Sequence, residues 1–204
     1  MKKLYLTSSK LDGLFNLLSN SPKQTSLAFI PTAGDPYVDH SFVDEDRQKL
    51  LDLGFNLKDV DLKNIHLSEL RKKLSDVDVV YVAGGNTFYL LEKALESGFE
   101  VVIKELIEKG VIYAGGSAGA VLAGPTIEPV DVFDDPKAAP HLKSFTGLGL
   151  VDFIVLPHYQ SDEKYAGLHE KIREVWSRKG YTVILLTNDQ AIQVIDGSYK
   201  IIDV

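Results

Sequence analysis

A serine among small residues offers the clearest chemistry in this sequence. Ser117 lies in the run Gly115–Gly119, which follows the apolar segment Val111–Ala114. Gly-x-Ser-x-Gly between a strand and a helix is typical of a nucleophile elbow, a sharp bend that exposes the serine hydroxyl. Glycine removes side chains that would clash in so tight a turn. The pattern predicts nucleophilic catalysis by Ser117, with the Ala118 amide at the helix start as a donor to a developing oxyanion.

A serine nucleophile needs a base, and the sequence predicts His158 in that role. His158 follows the apolar run Phe153–Leu156, so it is expected, like Ser117, at the carboxyl end of a strand. Reactive groups gather at these ends in parallel α/β sheets. His66 and His169 lie in or beside predicted helices, where a surface or packing role is the simpler interpretation. His40 and His141 lie in loops and remain alternatives for the base.

A second glycine turn follows the apolar run Val77–Ala83. If that strand neighbours the strand of Ser117, the Gly85 amide points at the same oxyanion, because a glycine permits the close backbone approach. A nucleotide-phosphate turn is the alternative interpretation. The segment lacks the full Gly-x-Gly-x-x-Gly pattern and the Walker Gly-Lys-Ser/Thr, which favours the oxyanion hypothesis.

The spacing leaves open which group orients His158. Asp189 follows the apolar run Tyr181–Thr187 and is again expected at a strand end. Asp131 and Asp134 lie in the irregular stretch Pro125–Leu150, which is predicted to pass over the active-site end of the sheet. Each of these aspartates has an ordinary alternative role as a loop or helix-capping residue.

Short apolar runs alternate with amphipathic segments along the chain. Strands are predicted at 4–7, 27–31, 60–62, 77–83, 111–114, 153–156, 181–187, 191–195 and 199–204. Helices are predicted over 41–53, 67–77, 86–97 and 101–109, and from Ser161 to a stop at Gly180. This alternation predicts a single α/β domain over residues 1–204, a doubly wound three-layer α/β/α sandwich with a mostly parallel sheet.

Composition narrows the classes of function. The 204 residues carry a formal net charge of -7, which argues against nucleic acid as a partner. There is no cysteine, so disulfides, thiolate nucleophiles and cysteine-ligated metals are excluded. The basic start of the chain is followed by too short an apolar run for a secretory signal, and no apolar stretch has bilayer-spanning length. We therefore expect a cytoplasmic protein without a membrane partner.

Several motifs in one order resemble the peptidase E (dipeptidase E, aspartyl dipeptidase) family of serine peptidases, whose wider relatives include cyanophycinase. The matching segments are Phe29–Gly34, Gly84–Phe88, Gly116–Ala120 with Gly124–Ile127, Pro157–Tyr159 and Ala191–Val194. The resemblance implies a sandwich similar to class I glutamine amidotransferases, with no metal and no organic cofactor. It implies Ser117 as nucleophile, His158 as base, and the amides of Gly85 and Ala118 as oxyanion donors.

The resemblance implies two places for the third triad member. One falls near Asp131, and the other on Asn188, with Asp189 beside it. Glutamine amidotransferases of class I have a glutamate two positions after the histidine, where this chain has Gln160, so glutaminase chemistry is disfavoured.

The expected reaction is hydrolysis of short peptides through an acyl-enzyme. The aspartyl dipeptidases have an arginine early in the helix after the histidine, and the matching stretch 166–169 has none. A preference for N-terminal aspartate is therefore not predicted. An esterase or amidase for non-peptide substrates and a non-catalytic ligand-binding homologue remain alternatives, and the oligomeric state stays open between monomer and homodimer.

Overall fold

The computed structural model describes residues 1–204, apart from the side chain of Lys164. Its strands are β1 Lys3–Thr7, β2 Ser26–Ile30, β3 Asn56–Asp59, β4 Val79–Val82, β5 Ile112–Gly116, β6 Phe153–Leu156, β7 Thr182–Leu185, β8 Gln190–Ile195 and β9 Ser198–Asp203. Its α-helices are α1 Ser41–Asp52, α2 Leu67–Lys73, α3 Thr87–Ser97, α4 Phe99–Glu108, α5 Ala118–Leu122 and α6 Leu168–Arg178. Among these described elements, no helix combines the length and hydrophobicity that a bilayer span requires.

The central sheet has seven strands in the order β3-β2-β4-β5-β1-β8-β9. Strands β3, β2, β4, β5 and β1 run parallel to one another. Strand β8 is antiparallel to β1, and β9 is antiparallel to β8. Parallel neighbours need crossover connections, which helices supply here. The mostly parallel sheet with flanking helices confirms the predicted fold class.

Both faces of the central sheet are buried. In β4, Val80 and Val82 join the apolar core on one face, whereas Val79 and Tyr81 join the core on the other. Successive side chains of a strand point to opposite faces, so an unbroken apolar run is what burial on both faces requires. This two-sided burial produces the three layers of the sandwich and fixes the carboxyl ends of β4 and β5 side by side.

Strands β6 and β7 differ from the expectation of one sheet. They pair with each other in parallel and form a separate two-stranded sheet. Helix α5 contacts both β5 and β6, and the backbone around Gly124 passes close to Phe153. The residue that follows β6 therefore reaches the end of β5 from the side, across α5, rather than along the edge of one continuous sheet.

Two predicted starts were wrong, and the helix predicted over 67–77 already ends at Lys73. The strand predicted at 60–62 is β3, Asn56–Asp59, whose mostly exposed polar residues form an edge of the sheet and give no apolar signal. The helix predicted from Ser161 begins only at Leu168, after Gly167 with φ 73°. Residues 163–165 form a separate 3-10 turn. In both cases the local sequence is polar and gives no signal for the start of the element, which tertiary packing decides.

Candidate active site

Ser117 occupies a strained bend between β5 and α5. Its φ and ψ are 47° and -107°, a combination that costs free energy for a residue with a side chain. The Ser117 amide donates to the Thr7 carbonyl at 2.9 Å, and its carbonyl accepts from Ala120 at 2.9 Å. These backbone bonds hold the bend, so the strained conformation persists and presents the hydroxyl to a cavity lined by both sides of the turn.

The glycines around Ser117 allow backbone to pack against backbone. A Cβ at Gly115 would lie 2.4 Å from the Gly119 oxygen, and one at Gly119 would lie 2.2 Å from the Val82 oxygen. Either contact is far shorter than van der Waals distance. The buried Tyr113 hydroxyl donates to the Gly119 carbonyl at 2.6 Å, which fastens the start of α5 onto β5. Glycine at these positions is therefore a steric requirement of the bend.

His158 follows β6 and meets the serine. Its Nε2 lies 2.8 Å from the Ser117 Oγ. The residue has φ 62°, in the left-handed region. Its amide donates to the Ser8 Oγ at 2.7 Å, and this bond helps to hold the turn that aims the ring. The structure thus brings together the two residues that the sequence singled out as nucleophile and base.

An asparagine contacts the far nitrogen of the imidazole. The Asn188 Oδ1 lies 2.8 Å from the His158 Nδ1. An amide oxygen only accepts hydrogen bonds, so Nδ1 carries the hydrogen and Nε2 offers its lone pair to the serine hydroxyl. Ser8, which is 2 % exposed, donates to the same Oδ1 at 3.0 Å. This network holds the ring in the tautomer that a general base needs.

The aspartates considered from sequence have other partners. Asp189 is exposed and forms an ion pair with Lys10 at 2.7 Å. Asp134 lines the cavity, but its Oδ2 accepts from the Thr87 amide at 2.8 Å, at the start of α3. Asp131 ends a 3-10 turn and lines a separate hollow on the α6 side. Among the described residues, none of the three makes a hydrogen bond to the His158 ring.

The family resemblance pointed to Asn188 as one of two places, whereas no sequence motif indicated Ser8. The available signal for Ser8 was its position directly after the apolar run of β1. In a parallel sheet the carboxyl ends of neighbouring strands converge, and β1 pairs with β5. Polar residues after every parallel strand are therefore candidates, even where the residue type is chemically modest.

The two predicted oxyanion donors belong to residues that line the same cavity as Ser117. Strands β4 and β5 are neighbours, with Val82 paired to Gly115, as the oxyanion hypothesis required. Gly85 and Ala118 both line the cavity. Among the described residues, neither amide donates a hydrogen bond. Unpaired amides beside a nucleophile are suited to an oxyanion.

The backbone at Gly85 tolerates no side chain. Its φ is 138°, and a Cβ there would lie 2.1 Å from the Ala33 oxygen. We expect Gly85→Ala to lower the free energy of unfolding by about 3 kcal/mol or more, because backbone must move on both sides. Urea unfolding measures this loss. Gly110→Ala is the control, since φ there is 95° but no atom lies within 4 Å. Equal losses in both variants would contradict the steric explanation.

The cavity beside Ser117 has a volume of about 470 Å³. Its aromatic residues are Tyr37, Phe42, Phe133 and Tyr165, and its charged residues are Glu45, Asp46, Lys49, Asp134 and Asp162, with His158 and His169 beside them. His169 is buried, and its ring stacks on Phe133, which agrees with a packing role. Burial raises the pKa of the Asp46 carboxyl, while the hydrogen bond from Tyr81 opposes that rise. Among the described residues, no His, Asp and Glu group has a metal-holding arrangement.

A serine on a strand–turn–helix bend, hydrogen-bonded to an imidazole and flanked by unpaired amides, is the arrangement of a serine hydrolase on an α/β fold. The sequence model of Peptidase family S51 matches residues 6–202. The chain belongs to this family and is a serine-type peptidase. The resemblance to peptidase E that the motifs predicted is confirmed.

Two peptidases are similar in sequence to this chain over nearly its whole length. An uncharacterized peptidase of Pasteurella multocida is 35% identical over 98% of this chain and 100% of its own length. Peptidase E of Salmonella arizonae is 32% identical over 97% of this chain and 88% of its own length.

Two solved structures are similar to this chain over its whole length. A crystal structure from Listeria monocytogenes EGD-e, named for peptidase E, superposes with a TM-score of 0.89 at 33% identity and covers 100% of this chain and 99% of its own. A peptidase from an acI-B1 Actinobacterium has a TM-score of 0.74 at 18% identity, with 100% and 88% of the two chains covered. The second comparison bears on the fold alone.

Proposed function

We propose that this peptidase hydrolyses short peptides through an acyl-enzyme formed on Ser117, within a single domain. The observation that carries the proposal is the 2.8 Å hydrogen bond between the Ser117 Oγ and the His158 Nε2. His158 removes the hydroxyl proton as the oxygen attacks the peptide carbonyl, and the protonated ring then gives that proton to the leaving amine. A water molecule, activated by the same ring, hydrolyses the ester and frees Ser117.

The oxyanion that forms in each step needs donors that are already in place. The amides of Gly85 and Ala118 flank Ser117 in the cavity, one from the β4–α3 turn and one from the start of α5. Fixed donors stabilise charge that develops in the transition state without reorganising. In nucleophile-elbow enzymes the oxyanion is typically held by two backbone amides, one from the residue after the nucleophile and one from another loop.

We assign the orienting role to Asn188 rather than to Asp131 or Asp189. Asn188 supplies the acceptor at 2.8 Å from Nδ1, and Ser8 holds the asparagine in turn. A neutral amide fixes the tautomer without adding a negative charge beside the ring. Asp189 instead pairs with Lys10 in solvent.

Substrate size follows from the cavity. A volume of about 470 Å³ lies within the range of small-molecule sites, roughly 300–1,000 Å³. The β4–α3 turn, helix α1 and residues 130–134 surround the serine, so a long chain in extended conformation has little room. Peptides of two or three residues fit this space.

A fluorophosphonate probe tests the proposed nucleophile, because only an activated serine reacts with it. We expect labelling of the wild-type protein and loss of the label in Ser117→Ala. Ser9→Ala is the control, since Ser9 lines the same cavity without bonding to the imidazole. Failure to label a folded wild-type protein would favour the non-catalytic alternative. Turnover of aryl esters without cleavage of any dipeptide would favour an esterase.

A further inference from the structure

We propose that the cavity selects peptides with a positively charged side chain on the residue whose carbonyl Ser117 attacks, and that Asp46 is the counter-charge. This inference rests on the proposed function and specifies its substrate class. It predicts that a basic first residue is favoured and that an acidic first residue is disfavoured.

The charges around the cavity are unbalanced. Among the described residues that line it, Glu45, Asp46, Asp134 and Asp162 are acidic, and Lys49 is the one lysine or arginine. A substrate carboxylate would lose water and gain no guanidinium partner there, which is costly. Clefts lined by one sign of charge concentrate ligands of the opposite sign.

Asp46 is the carboxylate placed beside the elbow. Its Oδ2 lies 3.7 Å from the position that a Cβ of Gly116 would occupy, one residue before the nucleophile. The same Oδ2 accepts a hydrogen bond from the buried Tyr81 hydroxyl at 2.6 Å, so the carboxylate is held in position. Its side chain is 18% exposed and lines the cavity. A positive group next to the scissile carbonyl is within its electrostatic reach.

The second oxygen of Asp46 is weakly engaged. Its Oδ1 lies 3.7 Å from the Lys49 Nζ, which is beyond hydrogen-bond distance, and the lysine side chain is 49% exposed. Because the lysine end of this pair is half exposed to solvent, water screens the attraction and reduces its contribution. A substrate cation that pairs with Oδ1 therefore has only a weak internal competitor.

The other acidic groups are less suited to this role. Asp134 accepts from the Thr87 amide, where it stabilises the positive end of α3. Glu45 is exposed on α1. The rings of Tyr37 and Phe42, which pack edge to face at 5.8 Å, line the cavity with Asp46 and offer faces that attract cations.

Matched dipeptides test the charge preference in the wild-type protein. We would measure kcat/KM for Lys-Ala and its uncharged analogue norleucyl-Ala, and for Asp-Ala and its uncharged analogue Asn-Ala. We expect Lys-Ala to exceed norleucyl-Ala, and Asn-Ala to exceed Asp-Ala, each by about tenfold. Because these pairs differ mainly in charge, pocket shape contributes little to the ratios. Added salt should reduce both ratios.

Asp46→Asn then tests the residue. The amide keeps an acceptor for Tyr81 and removes the charge, so we expect the ratio of Lys-Ala to norleucyl-Ala to fall by about tenfold, mainly through KM. Asp44→Asn is the control, since Asp44 is exposed on the same helix and lies outside the cavity. It should leave the ratio unchanged.

Three outcomes would overturn the inference, and they are distinguishable. Cleavage of Asp-Ala at least as fast as Lys-Ala would remove the charge preference and leave the proposed hydrolysis intact. Equal losses for Lys-Ala and norleucyl-Ala in Asp46→Asn would show that Asp46 does not pair with a charged substrate side chain. No cleavage of any dipeptide by folded wild-type protein would overturn the proposed function together with the inference.

Discussion

Replacing Ser117 with alanine should lower kcat for dipeptide hydrolysis by about 10,000-fold or more, because the attacking oxygen is lost. His158→Ala should cause a similar loss, since Ser117 then has no base at its 2.8 Å partner position. Both losses are measured as steady-state rates on a dipeptide that the wild type cleaves. The release of free amine is the readout.

The double variant makes this prediction sharper. Residues that act as one unit lose their shared contribution only once, so Ser117→Ala with His158→Ala should be hardly slower than either single variant. Ser9→Ala should retain wild-type turnover. Full additivity of the two losses, or wild-type turnover in Ser117→Ala, would contradict a mechanism in which the imidazole activates this hydroxyl.

Asn188→Ala should lower kcat by about 100-fold or more with little change in KM, because the acceptor for the Nδ1 hydrogen disappears and the ring can adopt the wrong tautomer. The neighbouring Asp189→Asn is the control. Asp189 is 73% exposed and pairs with Lys10, so its loss should scarcely alter turnover. Asp131→Asn should be similarly mild.

Asn188→Asp separates orientation from charge. It keeps an acceptor near Nδ1, so most of the activity lost in Asn188→Ala should return. The added carboxylate stabilises the protonated ring, and a general base must be unprotonated, so the rise of kcat/KM with pH should move to higher pH. A pH–rate profile measures this shift. If Asp131→Asn or Asp189→Asn slowed turnover as much as Asn188→Ala, the orienting group would be a carboxylate instead.

Local patterns were sufficient for the class of fold and for the bend. The apolar runs of β4 and β5 predicted buried parallel strands because burial on both faces demands unbroken hydrophobicity. The glycines around Ser117 predicted the elbow because so tight a bend requires residues without side chains within a few positions of the serine. His158 could be predicted from local sequence as well, because it lies just after the apolar strand β6.

Contacts between distant segments were decided only in the tertiary structure. Ser8, His158 and Asn188 are separated by 150 and 30 residues along the chain, and their hydrogen bonds depend on where β1, β6 and β7 end relative to one another. Sequence left Asp131, Asp134 and Asp189 open as partners of His158, because a carboxylate is the more familiar partner of histidine. The loop after β7 instead turns Asn188 toward the ring and Asp189 toward Lys10.

The sequence by itself therefore determined the buried strands, the glycine bend and the identities of the serine and the histidine, since each depends on steric and hydrophobic rules that act over a few residues. Only the tertiary structure decided the separate pairing of β6 with β7, the amide beside His158 and the acidic surroundings of Ser117. Those features depend on the relative placement of strand ends and of α1, which packing of the whole chain sets.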